Sequence, residues 1–415
     1  MNSTDLTNKS LLLVTSWFPC KGSSTSSPFI FSQVNEIKKF FRNVEVISLN
    51  PFVPQYFQNP KFKKIFDTVG LNERWHNDIF SGHYCRDYEY DNVKVHFASY
   101  VSLPVFSQWK KSGEAMLKTA QDIIQKKNIE FDLIHAQRVW PAGYVGANLS
   151  NIFDCPLVIT AHGGDIYTWP FIDASHQQQA KFILDSANHV ITVGSGNIKC
   201  IEAINTKAPV SLIPNGFDDS LFFLRDKIEC RKKLGLPLNK QILLTVGNLI
   251  EIKGHRYLIE AIPELIKHRK DILLVIIGDG PIRSDLQHQI RSLGLEEHVV
   301  LTGGKTHKEI PIWMNAADIF ILPSLKESFG VVQIEAMACG KPVVATKNGG
   351  SDDIVISDDY GYLVEPSNPS DLAGKILMAL DREWNQQTIL QHASQYTWKN
   401  IAENICDILI MAQIS

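Results

Sequence analysis

The sequence predicts an α/β protein built as two doubly wound, parallel-sheet domains. Three observations carry that expectation. Short apolar runs alternate with amphipathic, helix-length stretches almost throughout, the pattern of parallel strands covered on both faces by helices. The 415 residues, 44% hydrophobic and 20% charged, are enough for two or three domains with full cores. The alternation breaks near residue 215, at Pro214-Asn215-Gly216 and the charged stretch from Asp226 to Pro237, and then starts afresh.

Taken in order, strands are expected at Leu11–Thr15, Val44–Leu49, Val93–Ala98, Phe131–His135, Leu157–Ala161, His189–Val193 and Pro209–Ile213. A second set is expected at Ile242–Val246, Ile272–Ile277, Val299–Thr302, Ile319–Leu322, Val343–Thr346 and Tyr362–Val364. This gives domains at about 1–214 and 215–395. In such sheets ligands bind beyond the carboxyl ends of the strands, and with two domains the expected site is the cleft between them. The segment from Pro51 to Ser112 fits least well. It is rich in aromatics (Phe52, Tyr56, Phe57, Phe62, Phe66, Trp75, Tyr84, Tyr88, Tyr90) with Lys61, Lys63 and Lys64 among them. A variable subdomain packing its own aromatics is preferred to an acceptor-binding or membrane-skimming insertion. The acidic run from Asp87 to Asp91 is assigned to this irregular insertion.

A net charge of −3 gives no electrostatic case for nucleic acid. The polar N-terminus lacks a basic n-region, Leu11 to Val14 is too short for a signal h-region, and no apolar run reaches the ~20 residues of a membrane-spanning helix. A soluble, cytoplasmic protein is expected, with peripheral contact at the inner face of a membrane left open. The seven cysteines are scattered, odd in number and without a C-x-x-C pair. They read as reduced thiols of an intracellular protein, with no zinc site.

The most informative stretch runs from Glu327 to Glu335, between the apolar segments Ile319–Leu322 and Val343–Ala345. It reads as strand, loop, helix, turn, strand. One carboxylate then lies on the loop leaving a strand, the other about one turn into the next helix. Gly330 permits close backbone approach. The amides of Val331 and Val332 would face an anion at the helix start. Two hydrogen-bond-accepting carboxylates beside an anion cradle suit a ligand with hydroxyls at both ends and phosphate between. A nucleotide-sugar is such a ligand.

Other candidates stand at strand ends. Gly247 and Asn248 close one strand, and Lys253-Gly254 opens the next helix, an arrangement able to hold a diphosphate from one side. Gly278-Asp279-Gly280-Pro281 is similar to a dinucleotide-binding turn, but Arg283 replaces the third glycine. It therefore does not read as a dinucleotide fingerprint; a tight turn with Pro281 at the first helical position accounts for it, and a purine or uracil base could still sit against that turn. Gly349-Gly350 could let backbone amides reach a sugar or phosphate; it also reads as a loop needing positive φ, and the two readings are compatible. His162-Gly163-Gly164-Asp165 ends a strand of the first half. A lone histidine is usually structural, but this one sits at a ligand-binding edge beside two glycines, so the functional reading is preferred. The loop Ser16-Trp17-Phe18-Pro19 and the Ser/Gly-rich Lys21 to Ser27 reads equally as a phosphate or acceptor lid and as a plain surface loop. No Asp-x-Asp pair, no Gly-x-Ser-x-Gly elbow and no P-loop occurs.

Together these runs resemble the retaining GT-B glycosyltransferases of family four, over nearly the whole chain. The densest part is Pro214 to Pro366, with Leu301-Thr302-Gly303 beside the motifs above. Upstream, Phe18-Pro19, Gln33, Asp132-Leu133-Ile134-His135, Pro141-Ala142-Gly143 and His162 to Asp165 also match. Trp398 and the helix after it are similar to the segment that crosses back onto the first domain. The resemblance implies a GT-B fold, two Rossmann-like doubly wound domains facing across a cleft. The first would bind the acceptor and be completed by a helix at about 396–415, and the second would bind the nucleotide-sugar.

It also implies roles. Glu327, His162 and Lys253 would form the catalytic set. Gly247, Asn248, Lys253, Gly278, Gly280, Glu327, Ser328, Phe329, Gly330, Val331, Val332 and Glu335 would bind the donor. Glu327 would contact the sugar's hydroxyls, Glu335 the ribose hydroxyls, and Lys253 the diphosphate. Asn248 stands where many relatives have Arg or Ser, which leaves Lys253 more of the charge to carry. Ser27 and Pro28 stand where many have a glycine about six residues before Gln33. The implied reaction is retaining transfer of a hexose-type sugar from a UDP- or GDP-sugar to a hydroxyl of a saccharide or lipid-linked saccharide, in bacterial surface polysaccharide synthesis. No cofactor and no metal is expected. The alternatives are a nucleotide-sugar epimerase or phosphorylase of the same fold, and a non-catalytic nucleotide-sugar-binding subunit.

Overall fold

The computed structural model describes residues 6–16, 18–20, 28–52, 85–101 and 109–414. The chain divides into two compact units. The first takes the described residues up to Thr192, Lys199–Ile213 and everything from Ala402 onward. The second takes Val193–Ile198 and Pro214–Ile401. The sequence boundary at 214/215 omits Val193–Ile198, the loop after the seventh strand. It packs on the second unit because Gly194 has no side chain there: an added Cβ would lie 1.7 Å from the Ser328 carbonyl oxygen. The Asp353 carboxylate accepts from the Ser195 amide at 2.7 Å and hydroxyl at 2.5 Å.

The first unit holds an eight-stranded sheet in the order β3-β4-β2-β1-β5-β6-β7-β8. Its strands are β1 (Ser10–Thr15), β2 (Asn43–Phe52), β3 (Tyr88–Tyr90), β4 (Val93–Val101), β5 (Leu133–Gln137), β6 (Leu157–Ala161), β7 (His189–Thr192) and β8 (Val210–Leu212). All neighbours pair in parallel except β3 with β4. Strand order reverses between β1 and β5. Leu12 and Val14 of β1 pack into the same core as Ile134, Ala136 and Ile159.

The second unit holds a six-stranded parallel sheet, β11-β10-β9-β12-β13-β14. Here the strands are β9 (Gln241–Val246), β10 (Ile272–Ile277), β11 (Val299–Gly303), β12 (Ile319–Leu322), β13 (Val343–Thr346) and β14 (Gly361–Val364). β10 explains why such strands read as unbroken apolar runs. Ile272, Leu274 and Ile276 enter one core while Leu273, Val275 and Ile277 enter the other, because successive side chains alternate faces and helices cover both. The order reverses between β9 and β12, the topological switch point at which ligands of such sheets bind. The closing helix, Trp398–Ile414, begins in this unit. Gly216 lies against Trp398, an added Cβ meeting its ring at 2.7 Å.

Three expectations need correction. The acidic run is not irregular: Tyr88–Tyr90 is an antiparallel edge strand on β4, turned by Asp91 at φ 49°. Three residues are too few to show a strand period. The cysteines are not all reduced thiols, because Cys20 and Cys85 form a disulfide with Cα atoms 5.3 Å apart. Their loops are brought together by β3, whose Tyr88 hydroxyl donates to the Pro19 carbonyl at 2.8 Å. Nothing in a sequence separation of 65 announces this pair. Cys155, Cys200, Cys230, Cys339 and Cys406 are free. The cysteine argument for an intracellular protein therefore falls away. Third, Pro281 sits in a turn ahead of the Arg283–Ser292 helix rather than at its first position. Among the described residues no helix is long and apolar enough to cross a membrane. Trp17, Lys21 to Ser27 and most of the aromatic and lysine cluster between residues 52 and 84 lie outside the described residues.

Candidate functional site

At the switch point of the second sheet, two loops meet. One leaves β9 through Gly247 and Asn248, passes a short 3-10 turn at Glu251–Lys253 and enters the His255–His268 helix through Gly254. The other leaves β12 through Pro323 and Ser324 and enters the Val331–Ala338 helix through Gly330. Gly254 makes the meeting possible. It has φ 65°, and a Cβ there would lie 2.0 Å from the Pro323 carbonyl oxygen. This close approach sets Lys253 beside Glu327. The Lys253 Nζ donates to Glu327 Oε1 at 2.6 Å, and the Ser324 hydroxyl donates to the same oxygen at 2.8 Å. Glu327's backbone is fixed too, its amide donating to the Asn348 carbonyl at 3.1 Å.

Gly330 caps the next helix with φ 85°. Val331 and Val332 are the first two residues of that helix, so their amides have no intrahelical acceptor. One turn later Glu335 is buried, its Oε1 accepting from the His307 ring nitrogen Nε2 at 3.0 Å. His307 packs against the Phe222 ring, centroids 5.0 Å apart. Lys253, Glu327, the helix amides and Glu335 therefore fall along one loop–helix path.

The other predicted donor residues divide. Gly247 and Gly278 lie side by side, since a Cβ on Gly278 would be 1.8 Å from the Gly247 carbonyl oxygen, and one on Gly280 would be 2.4 Å from the Leu249 carbonyl oxygen. Asn248 is exposed, while its carbonyl accepts from His255 Nε2 at 3.3 Å. Burial holds the His255 ring neutral, down to about 4. The Phe329 side chain belongs to the core, against Tyr396 at 5.7 Å, so only its backbone is available to a ligand. The Ser328 hydroxyl is buried with no partner among the described residues. Gly349-Gly350 does not offer free amides. Gly349 donates to Asp352 at 2.9 Å and Gly350 to the Asn348 side chain at 3.1 Å. Gly350 instead lets this loop lie against Phe329, whose amide nitrogen would be 2.6 Å from a Cβ there. Ser324, His307 and His255 were missed: none stands in a motif, and although Ser324 and His255 meet partners only 3 and 7 residues away, His307 reaches one 28 residues away.

In the first sheet, His162 follows β6. The buried Asp165 carboxylate gathers its loop, accepting from Gly163 N at 2.7 Å, Val139 N at 2.8 Å and His162 N at 3.2 Å. The ring Nε2 lies 2.7 Å from Gln137 Oε1, and the Phe29 ring packs edge-on at 5.3 Å. Burial pushes the His162 pKa down to about 4, Asp165 opposing and Arg138 adding to the fall. The imidazole is neutral at pH 7.

Known proteins resemble this chain over most of its length. Residues 226–396 match the family model described as Glycosyl transferases group 1, and residues 70–221 match Glycosyltransferase Family 4. An uncharacterized glycosyltransferase of Methanocaldococcus jannaschii is 30% identical over 351 residues, covering 78% of this chain and 87% of that protein. A Bacillus subtilis protein provisionally named as the teichuronic acid biosynthesis glycosyltransferase TuaC is 28% identical, covering 88% of each chain. Among solved structures, sucrose-phosphate synthase of Thermosynechococcus elongatus superposes with a TM-score of 0.76 at 20% identity, covering 97% of this chain and 99% of that one. Anabaena HepE in complex with UDP-glucose gives 0.69 at 23% identity, over 97% and 100%. The chain belongs to the GT-B glycosyltransferases and is a transferase enzyme.

Proposed function

We propose that this enzyme transfers a hexose-type sugar from a UDP- or GDP-sugar to an acceptor hydroxyl with retention of the anomeric configuration. The observation that carries the reading is the Lys253–Glu327 pair at the β9/β12 switch point, with the helix amides of Val331 and Val332, which have no intrahelical acceptor, on one side and Glu335 beyond. Glu327 accepts from hydroxyls of the donor sugar. Lys253 and the amides of Val331 and Val332 take the diphosphate. Glu335, oriented by His307, accepts from the ribose hydroxyls. The neutral His162 offers a hydrogen-bonding group to a sugar hydroxyl. HepE, crystallised with UDP and with UDP-glucose, supports a nucleotide-sugar donor.

In the reaction, the bond between the anomeric carbon and the β-phosphate oxygen breaks and the acceptor oxygen bonds to that carbon on the same face. The acceptor's proton passes to the leaving phosphate, and the nucleoside diphosphate departs. Lys253 and the helix amides stabilise the charge that develops on that phosphate. Glu327 is tied up by Lys253 and Ser324, which fits a hydroxyl acceptor better than the nucleophile of a two-step retaining route. Neither charge-stabilising group requires a divalent cation; loss of activity with EDTA and recovery with Mg²⁺ would refute that part. The relation to TuaC supports a surface polysaccharide or lipid-linked saccharide as the acceptor. A nucleotide-release screen of UDP- against GDP-sugars, with the anomeric configuration of the product read by NMR, tests the reading. Conversion of donor without acceptor would instead make the protein an epimerase.

A further inference from the structure

The first sheet also has a switch point, between β1 and β5, and a chain of buried amides crosses it. Gln33, on the Pro28–Ile37 helix that follows β1, and Gln137, the last residue of β5, are both buried. Gln137 Nε2 donates to Gln33 Oε1 at 2.6 Å and also lies 3.3 Å from Nε2 of the buried His135. Its amino group is thus turned toward Gln33 and His135, and its Oε1 faces His162 Nε2 at 2.7 Å. An amide oxygen only accepts, so with Gln137 in this orientation His162 Nε2 carries the hydrogen. The other ring nitrogen, Nδ1, is then a bare acceptor, and it is buried with no partner among the described residues. The groups around the ring are the Asp165 carboxylate, Arg138, His135 and the Phe29 edge.

We propose that Gln137, held by Gln33, is a positioning residue that locks His162 in the Nε2–H tautomer, so that Nδ1 accepts a hydrogen bond from a hydroxyl of a bound sugar. This rests on the reading of His162 as a sugar-contacting group. Under the relay His162 serves neither as a proton donor nor as a cation toward phosphate. A ligand lacking that hydroxyl loses the contact, because Nδ1 has no donor to spare.

The test uses the full-length protein with ¹⁵N-labelled histidine. Long-range ¹H–¹⁵N correlations at pH 7 distinguish the tautomers, and His162→Asn assigns the signals. Wild type should show His162 as Nε2–H with Nδ1 unprotonated. A Nδ1–H tautomer or an imidazolium would overturn the relay whatever the activity. Gln137→Glu puts a carboxylate against Nε2–H and should raise the His162 titration toward neutral pH, carrying the acid limb of the kcat profile with it. An unmoved titration in folded Gln137→Glu also overturns the relay. Gln33→Leu, in case the Gln137 variants fail to fold, should mix the tautomers and lower kcat about tenfold, with little change in nucleoside diphosphate affinity. The expected tautomer in wild type with kcat unchanged in Gln33→Leu, although the tautomers mix, would overturn the hydroxyl-accepting role and count against the functional reading of His162 rather than the hydrogen-bond geometry.

Discussion

Lys253 and Glu327 leave neighbouring strands of one sheet and meet at 2.6 Å where the strand order reverses. The pair is 74 residues apart in sequence. Each partner has a reason for its place: Gly254 lets the β9 loop touch the β12 loop, and Ser324 and Asn348 fix the glutamate from the other side. A cation held by a carboxylate is already oriented when an anionic ligand arrives, and both side-chain bonds to Glu327 fall on Oε1, leaving Oε2 without a partner among the described residues.

Gly254→Ala tests that close approach. The new methyl would meet the Pro323 carbonyl in a left-handed backbone conformation. It should cost about 2–4 kcal/mol and lower kcat by displacing Lys253. Gly235→Ala is the control, with the same φ of 65° and nothing within 4 Å, and should cost about 1 kcal/mol. Urea denaturation of both variants measures the difference.

His307→Ala removes the partner of a buried carboxylate. Glu335 then loses its orientation, and nucleoside diphosphate affinity should weaken about tenfold. Titration calorimetry with UDP and GDP measures this. A kcat at saturating donor within about twofold of wild type is expected, because the contact is remote from the bond that breaks.

Acid should weaken both domains. Burial lowers His162 and His255 to about 4 and His135 to about 3, all from 6.5. Below pH 6.5 the unfolded chain binds protons that the folded chain refuses, so stability rises with pH in this window. It is complete above about pH 6.5 and is lost as pH falls toward 4. Urea midpoints should therefore drop between pH 7 and pH 5. An unchanged midpoint would mean that these rings are charged in the native state.

Much of this was legible in the sequence because parallel strands buried on both faces are continuous apolar runs. β6, β10, β12 and β13 fall where those runs stand. The Glu327-to-Glu335 segment was legible as strand, loop and helix because Pro323, Gly330 and Gly340 punctuate it. What the sequence could not show is pairing across long separations. Gln33 and Gln137 are 104 residues apart, and Cys20 and Cys85 are 65 apart. His307 reaches Glu335 from another loop without any motif to mark it. Gly349-Gly350 was legible in part: Gly349 has the positive φ, 94°, of a loop glycine, but glycine reports that space is tight, not whether the tight neighbour is a ligand or Phe329.

Glu327→Ala gives the most direct test of the central claim, that Glu327 grips the donor sugar while Lys253 holds its diphosphate. Turnover and nucleoside diphosphate affinity should be measured on the same preparation. Transfer should fall by about 10²–10³ or more, while affinity is retained or tightened, since the removed carboxylate had been neutralising Lys253. Unchanged turnover, or parallel loss of turnover and nucleotide binding, would contradict the account.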